Sequence, residues 1–201
     1  IVKLLEYLRD KRFDSIPIDE IDRELKGIFG ATISPLVIDS VGFSRTTSTM
    51  GITHFVYQMA KAQEIIEAVL NETDVIDFSF KADNCFAHFT HPDSALRAAM
   101  LIRKAVQEAE IPLVNDEIYG LSMGIGYGEM LFSGGSDGYY GDEMNLAAKL
   151  GEDTGKRDDI LLTEDAKRAL TSTHEFISHV VSVSGLQIPY YKLCSNQPPT
   201  S

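Results

Sequence analysis

Leu36-Val37-Ile38-Asp39-Ser40-Val41-Gly42-Phe43-Ser44 is an apolar, strand-forming run interrupted by one carboxylate and closed by a glycine turn. A carboxylate at a strand end can hold a cation, while the N–H groups of the turn behind it face phosphates. On its own such a carboxylate reads more readily as a solvated loop residue, so the stretch gains meaning only from what surrounds it.

Upstream, residues 1–30 read as a helical lead-in. Within IDEIDRELKGIFG, Ile21, Leu25 and Phe29 recur at helical spacing and Gly30 ends the run. The strand follows as residues 35–43, PLVIDSVGF. Beyond Gly51 a long amphipathic helix repeats Ile52, Phe55, Val56, Met59, Ile66, Val69 and Leu70, a stripe that reads as core.

Two short strands, DVIDFSF at 74–80 and NCFAHFT at 84–90, lie close enough to form a hairpin with Asp83 at its tip. Asp93 stands where it would cap the next helix, whose Ala95, Ala98, Ala99, Ile102 and Val106 approach a sheet closely. Strands are expected at 119–128 and 129–134, then a helix DEMNLAAKL at 142–150 between Gly141 and Gly151. The chain closes with strand DILLT, helix EDAKRAL, and the strands HEFISHVVSV and IPYYKL.

The order β-α-β-β-α-β predicts an α+β fold, a ferredoxin-like sheet with helices on one side plus extra C-terminal strands and a helix. The chain divides as a lead-in at 1–30, a catalytic-type domain at 31–195 and a polar tail at 196–201. Fold alone assigns no function.

Composition narrows the choices. With 201 residues, 44% hydrophobic and 24% charged, one self-sufficient soluble domain is expected. Net charge of −12 argues against nucleic acid and anionic lipid as partners. If the ligand is a nucleotide, an acidic chain must meet its phosphates with a divalent cation, backbone N–H groups or a few placed Lys and Arg. No apolar run approaches the roughly 20 residues of a membrane span. The start is too charged for a signal peptide and lacks Met, so a piece of a longer protein is expected. Cys85 and Cys194 read as packing residues of a reducing, cytoplasmic compartment. His88 and His91 have H-x-x-H spacing, yet alternation along a strand sends their rings to opposite faces, against a shared metal.

Two carboxylates on adjacent strands, Asp39 and Asp83, are the usual protein contribution to a two-metal phosphoryl-transfer site. A third piece joins them. Residues 140–149, YGDEMNLAAK, read as a turn, an N-cap at Asp142, and a helix with Asn145 and Lys149 on one face. An amide and a cation there suit a ribose and a phosphate; a plain amphipathic helix has the same pattern.

Taken together the motifs resemble the class III adenylate/guanylate cyclase catalytic domains. IDSVGFS at 38–44 resembles their metal-binding signature, and KADNCFAHF at 81–89 resembles their hairpin. GIGYGEMLFSGG at 124–135 resembles their glycine-bearing strand pair, and YYGDEMNLAAKLGE at 139–152 their Asn-bearing helix. The resemblance spans roughly Leu36 to Thr163.

It implies that Asp39 and Asp83, with the Ser40 carbonyl, ligate two divalent cations, Mg2+ or Mn2+. Phe43 and Ser44 would offer N–H groups to the phosphates, Asn145 would orient the ribose, and Lys149 would stand at the transition-state position. The implied reaction is attack by the ribose 3′-oxygen on the α-phosphorus of a nucleoside triphosphate, at a site shared across a head-to-tail homodimer. ATP is favoured by family frequency, with GTP possible.

The chain departs from the family pattern in several places. Lys149 replaces Arg, losing the planar fork, at about 1–3 kcal/mol. Ser79 replaces the base-recognising Lys, with Lys81 nearby, either on the same face or displaced by the turn. Gly138, flanked by Asp137 and Tyr139, occupies the other base-selecting position, and Ser184 and Leu186 stand where basic residues contact the triphosphate. These losses support an alternative, a weak or silent cyclase-like domain that binds nucleotide or dimerises. A diguanylate cyclase lacks support, because Ala82-Asp83-Asn84 occupies the turn where its Gly-Gly signature would sit.

Overall fold

The computed structural model describes residues 3–11, 13, 16–133, 138–183 and 185–194. Asp137, Ser184 and the tail at 196–201 lie outside these described residues. Helices α1 (Leu4–Lys11) and α2 (Ile18–Phe29) lead into strand β1 (Gly30–Val41). The strand starts earlier than the sequence suggests. Gly30 is both the C-cap of α2 and the first strand residue, and a Cβ there would meet the Lys26 carbonyl oxygen at 2.3 Å. The chain therefore turns from helix into strand with no connecting loop, which only glycine permits.

After β1 come α3 (Phe43–Met50), α4 (Ile52–Asn71), β2 (Asp77–Lys81), β3 (Asn84–Phe89), α5 (Pro92–Glu108) and β4 (Gly120–Ile125). Then follow β5 (Gly128–Phe132), β6 (Tyr139–Tyr140), α6 (Asp142–Ala148), a π-helical turn (Lys149–Thr154), β7 (Ile160–Thr163), α7 (Glu164–Ala169), β8 (Phe176–Val183) and β9 (Leu186–Leu193). The main sheet runs β2-β3-β1-β4-β7-β9-β8. Its neighbours are antiparallel except β4 and β7. The first residues of β1 pair separately with β5.

Alternation along β1 divides the sheet. Leu36 and Ile38, with their partners Ile125 and Met123, join the core under α4 and α5. Phe55, Ala62, Ile66 and Leu70 of α4 and the alanines of α5 fill that face, as the helical spacing requires. Val37 points the other way, paired with Gly124. A Cβ on Gly124 would lie 2.0 Å from the Ala147 carbonyl oxygen, and one on Gly151 would lie 2.9 Å from that of Val37. Two bare glycines thus let α6 and the π turn rest directly on the sheet backbone. The helix expected to stop at Gly151 instead widens into a π turn that runs through it.

Two further expectations are corrected by local chemistry. Phe43 does not end the strand but opens α3, because Gly42 at φ 113 turns the chain out of β1. Asp93 does not cap α5; the His91 ring accepts from the Asp93 N–H. Asp93 instead accepts from the N–H and hydroxyl of both Thr171 and Ser172, tying the segment after α7 to the start of α5. Both described cysteines are free, Cys85 buried in the core and Cys194 half-buried. Among the described residues no helix is long and apolar enough to cross a membrane.

Candidate functional site

Asp39 lies on the Val37 face of β1, in register with Ser122 of β4, and Ser40 beside it turns into the protein. Asp83 sits in the turn between β2 and β3, where Ala82 takes φ 55 and its carbonyl accepts from Gln63 of α4 at 2.9 Å. Ser40 Oγ donates to the Asp83 carbonyl at 3.2 Å and hydrogen-bonds the buried Tyr119 hydroxyl. The hairpin tip is thereby tied to the end of β1, and Asp39 and Asp83 line one open pocket of about 680 Å3.

That pocket concentrates negative charge. Burial, then the Asp83 carboxylate, pushes the Asp39 carboxyl up to about 7, with Glu152 and Asp153 adding to it and the Ser40 N–H opposing. Burial with Asp153 and Asp83 also raises Glu152. A carboxyl held this high is short of positive charge, and a divalent cation would supply it. The donors are oxygens of hard-cation type. Among the described residues no three His, Cys, Asp or Glu side chains form a ready cage. One or two carboxylates with water and phosphate oxygens completing the shell is the magnesium pattern.

The opposite wall suits an anion. Phe43 and Ser44 open α3, and the first amides of a helix have no partners within it. Arg45 and Arg157 also line the pocket, both reaching Glu117 from either side. Arg157 lies across Gly120, where a Cβ would come within 2.6 Å of its Cγ. Sequence reasoning missed Arg45, Glu117, Glu152 and Arg157. The one available signal was the glycine at position 120, which leaves room for an arginine stem to cross the strand.

The remaining assigned residues gather elsewhere. Ser79, Lys81, Gly138 and Tyr139 line a second groove of about 460 Å3, together with Asp77, Phe86, His88, Phe132 and Met144. Strand alternation explains this: Asp77, Ser79 and Lys81 share one face of β2 and register with His88, Phe86 and Asn84 of β3. Lys81 therefore does face the same way as Ser79, its Nζ 5.4 Å from the centroid of the Phe86 ring.

Asn145 is exposed on α6, next to the groove-lining Met144. Glu143 pins that helix by accepting from the Tyr127 N–H at 2.9 Å and the Thr163 hydroxyl at 2.5 Å. Lys149 opens the π turn and pairs with Asp153 at 2.5 Å. Leu186 is exposed at the start of β9. Within one chain, Asp39, Ser40, Phe43, Ser44 and Asp83 thus occupy one pocket, while Ser79, Lys81, Gly138 and Tyr139 occupy another.

No protein-family model matches the chain, and no curated protein matches it. Solved structures do. The adenylyl cyclase CyaB from P. aeruginosa superposes with a TM-score of 0.71 at 15% identity, covering 86% of this chain and 98% of that one. The guanylate cyclase domain of RhGC from Catenaria anguillulae, in complex with GTP, gives 0.67 at 14% identity over 83% and 98%. An adenylate/guanylate cyclase/hydrolase from Silicibacter pomeroyi gives 0.66 at 20% identity over 84% and 99%. At these identities the likeness is one of fold.

Proposed function

We propose that this chain, which has the fold of the class III cyclase catalytic domains, is a nucleotidyl cyclase acting as a head-to-tail homodimer. The observation that carries this reading is the convergence of Asp39 and Asp83 on one pocket whose other wall is the start of α3.

Asp39, Asp83 and the Ser40 carbonyl would hold two divalent cations, Mg2+ or Mn2+. Cations held there would supply the charge that lowers the pKa of a ribose 3′-hydroxyl and offsets that of a departing pyrophosphate. The α3 amides at Phe43 and Ser44 orient the phosphate chain, and Arg45 and Arg157 add positive charge beside them. Asn145 of the second protomer positions the ribose and Lys149 faces the α-phosphate. Ser79, Lys81, Gly138 and Tyr139 border the base. ATP is the favoured substrate, with GTP possible. The separation of the two residue groups into two pockets supports the dimer: facing copies would set one protomer's carboxylate pocket against its partner's groove, twice.

The test is incubation of the purified chain with Mn2+ and each of the four common nucleoside triphosphates. A cyclic nucleotide and pyrophosphate are expected by mass spectrometry; no product from any of the four, in a protein shown to be dimeric, removes the enzymatic reading. A silent cyclase-like domain is the second reading. It is favoured by the Lys149–Asp153 pair, which engages the transition-state cation within its own chain.

A further inference from the structure

We propose that His88, held by Asp77, reads the nucleobase by accepting a hydrogen bond from a purine N–H, either a 6-amino group or an N1–H. The inference rests on the cyclase reading above and deepens it, because it names the group that replaces the base-recognition chemistry absent at Ser79 and Gly138.

His88 is 4% exposed, yet it lines the second groove, opposite Asp77 in the β2–β3 register. Its Nδ1 lies 2.5 Å from Asp77 Oδ1. A carboxylate accepts only, so in the neutral ring the proton sits on Nδ1 and Nε2 is left as an acceptor. That Nε2 is shielded from solvent and has no hydrogen-bond partner among the described residues. A buried acceptor without a donor is a standing penalty that a ligand N–H relieves.

The walls select a flat heterocycle. The Tyr139 ring lies 4.4 Å from the His88 ring and 4.6 Å from that of Phe132, centroid to centroid, with Phe86 also lining the groove. Since Tyr139 packs against the imidazole, a base must slide it aside to reach Nε2. A base that offers an N–H offsets that displacement; one without it does not. Rejection by an orphaned polar group is stronger than rejection by shape alone.

The experiment uses the 3′-deoxy triphosphates of adenosine, guanosine and unsubstituted purine riboside, which cannot cyclise, titrated calorimetrically into the purified chain with Mn2+. The unsubstituted purine has neither N–H, and is expected to bind roughly tenfold more weakly than the better of the other two. An advantage for the adenosine analogue identifies the 6-amino group; an advantage for the guanosine analogue identifies N1–H when the inosine analogue, which lacks the 2-amino group, shares it. In His88→Phe, which keeps an aromatic ring but no acceptor, the advantage should shrink to within about twofold. Equal binding of all three by the wild type, or an undiminished advantage in folded His88→Phe, overturns the proposal. If that variant does not fold, Asp77→Ala at the exposed partner takes its place, and an unchanged advantage there counts equally against His88. Cyclisation without His88-dependent selectivity strikes this inference alone; selectivity without cyclisation strikes only the enzymatic reading.

Discussion

Ser40 donates from its Oγ to the backbone carbonyl of Asp83 at 3.2 Å, so the strand carrying Asp39 and the hairpin carrying Asp83 are fastened beside their carboxylates. The same Oγ meets the buried Tyr119 hydroxyl, which makes the serine a hub. Ser40→Ala leaves that phenol without its partner and should destabilise the fold by about 1–3 kcal/mol in denaturant titrations. Tyr119→Phe removes the orphan together with the bond and should cost less, about 1 kcal/mol. Equal losses in the two variants would show that Ser40 does not serve both partners.

Asp39 should destabilise the metal-free protein at neutral pH. Its folded value of about 7 lies above the ordinary value of roughly 4, so between these limits the unfolded chain has released a proton that the native state keeps. Stability should therefore fall as pH rises from about 4 to 7 and level off above. Asp39→Asn should flatten that limb and raise the metal-free melting temperature at pH 8, by about 2–4 °C if solvent screening leaves 1 kcal/mol of the effect. The same variant should lose the stabilisation that Mn2+ gives the wild type. A lower metal-free melting temperature would show the carboxylate already compensated.

Asp93 should behave in the opposite sense. Burial would raise its carboxyl, but hydrogen bonds from Ser172 and Thr171 outweigh this and hold it at about 2. Its contribution is full above the ordinary value near 4 and disappears as pH falls toward about 2. Asp93→Ala should cost about 1–3 kcal/mol at neutral pH and flatten the acid limb in that window, measured by denaturant unfolding at stepped pH. A pH-independent loss would assign Asp93 to packing alone.

Lys149→Arg should raise turnover by about tenfold, because the guanidinium restores two parallel donors to the equatorial oxygens. The Lys149–Asp153 pair is partly exposed, so releasing it costs little. A lower rate would place the π turn away from the phosphorus.

The parts legible in the sequence were those with a periodic or positional signature. β1 declared itself because Asp39 stands in an otherwise apolar run, and the stripes of α4 and α5 declared the covered face of the sheet. Ser79, Lys81, Gly138 and Tyr139 were singled out by resemblance, and the groove they share follows from alternation on β2 and the turn into β6. The start of α3 was hidden because Phe43 suits a strand, and only the φ of Gly42 shows the break. Arg157 and Glu117 were hidden because their meeting depends on a tertiary crossing over Gly120. The His88–Asp77 pair was missed for a similar reason: His88 was weighed only against His91, its neighbour in sequence, and not against its partner across the hairpin.

The shared-site arrangement is tested most directly by mixing two variants. Asp39→Asn and Asn145→Ala protomers, each expected to be inactive alone, are co-refolded in equal amounts and assayed for cyclic nucleotide with Mn2+. Half the dimers should be mixed, each with one intact site, so recovery of about a quarter of wild-type activity is expected. A mixture as inactive as its components, with mixed dimers demonstrated, would contradict a site built from two chains.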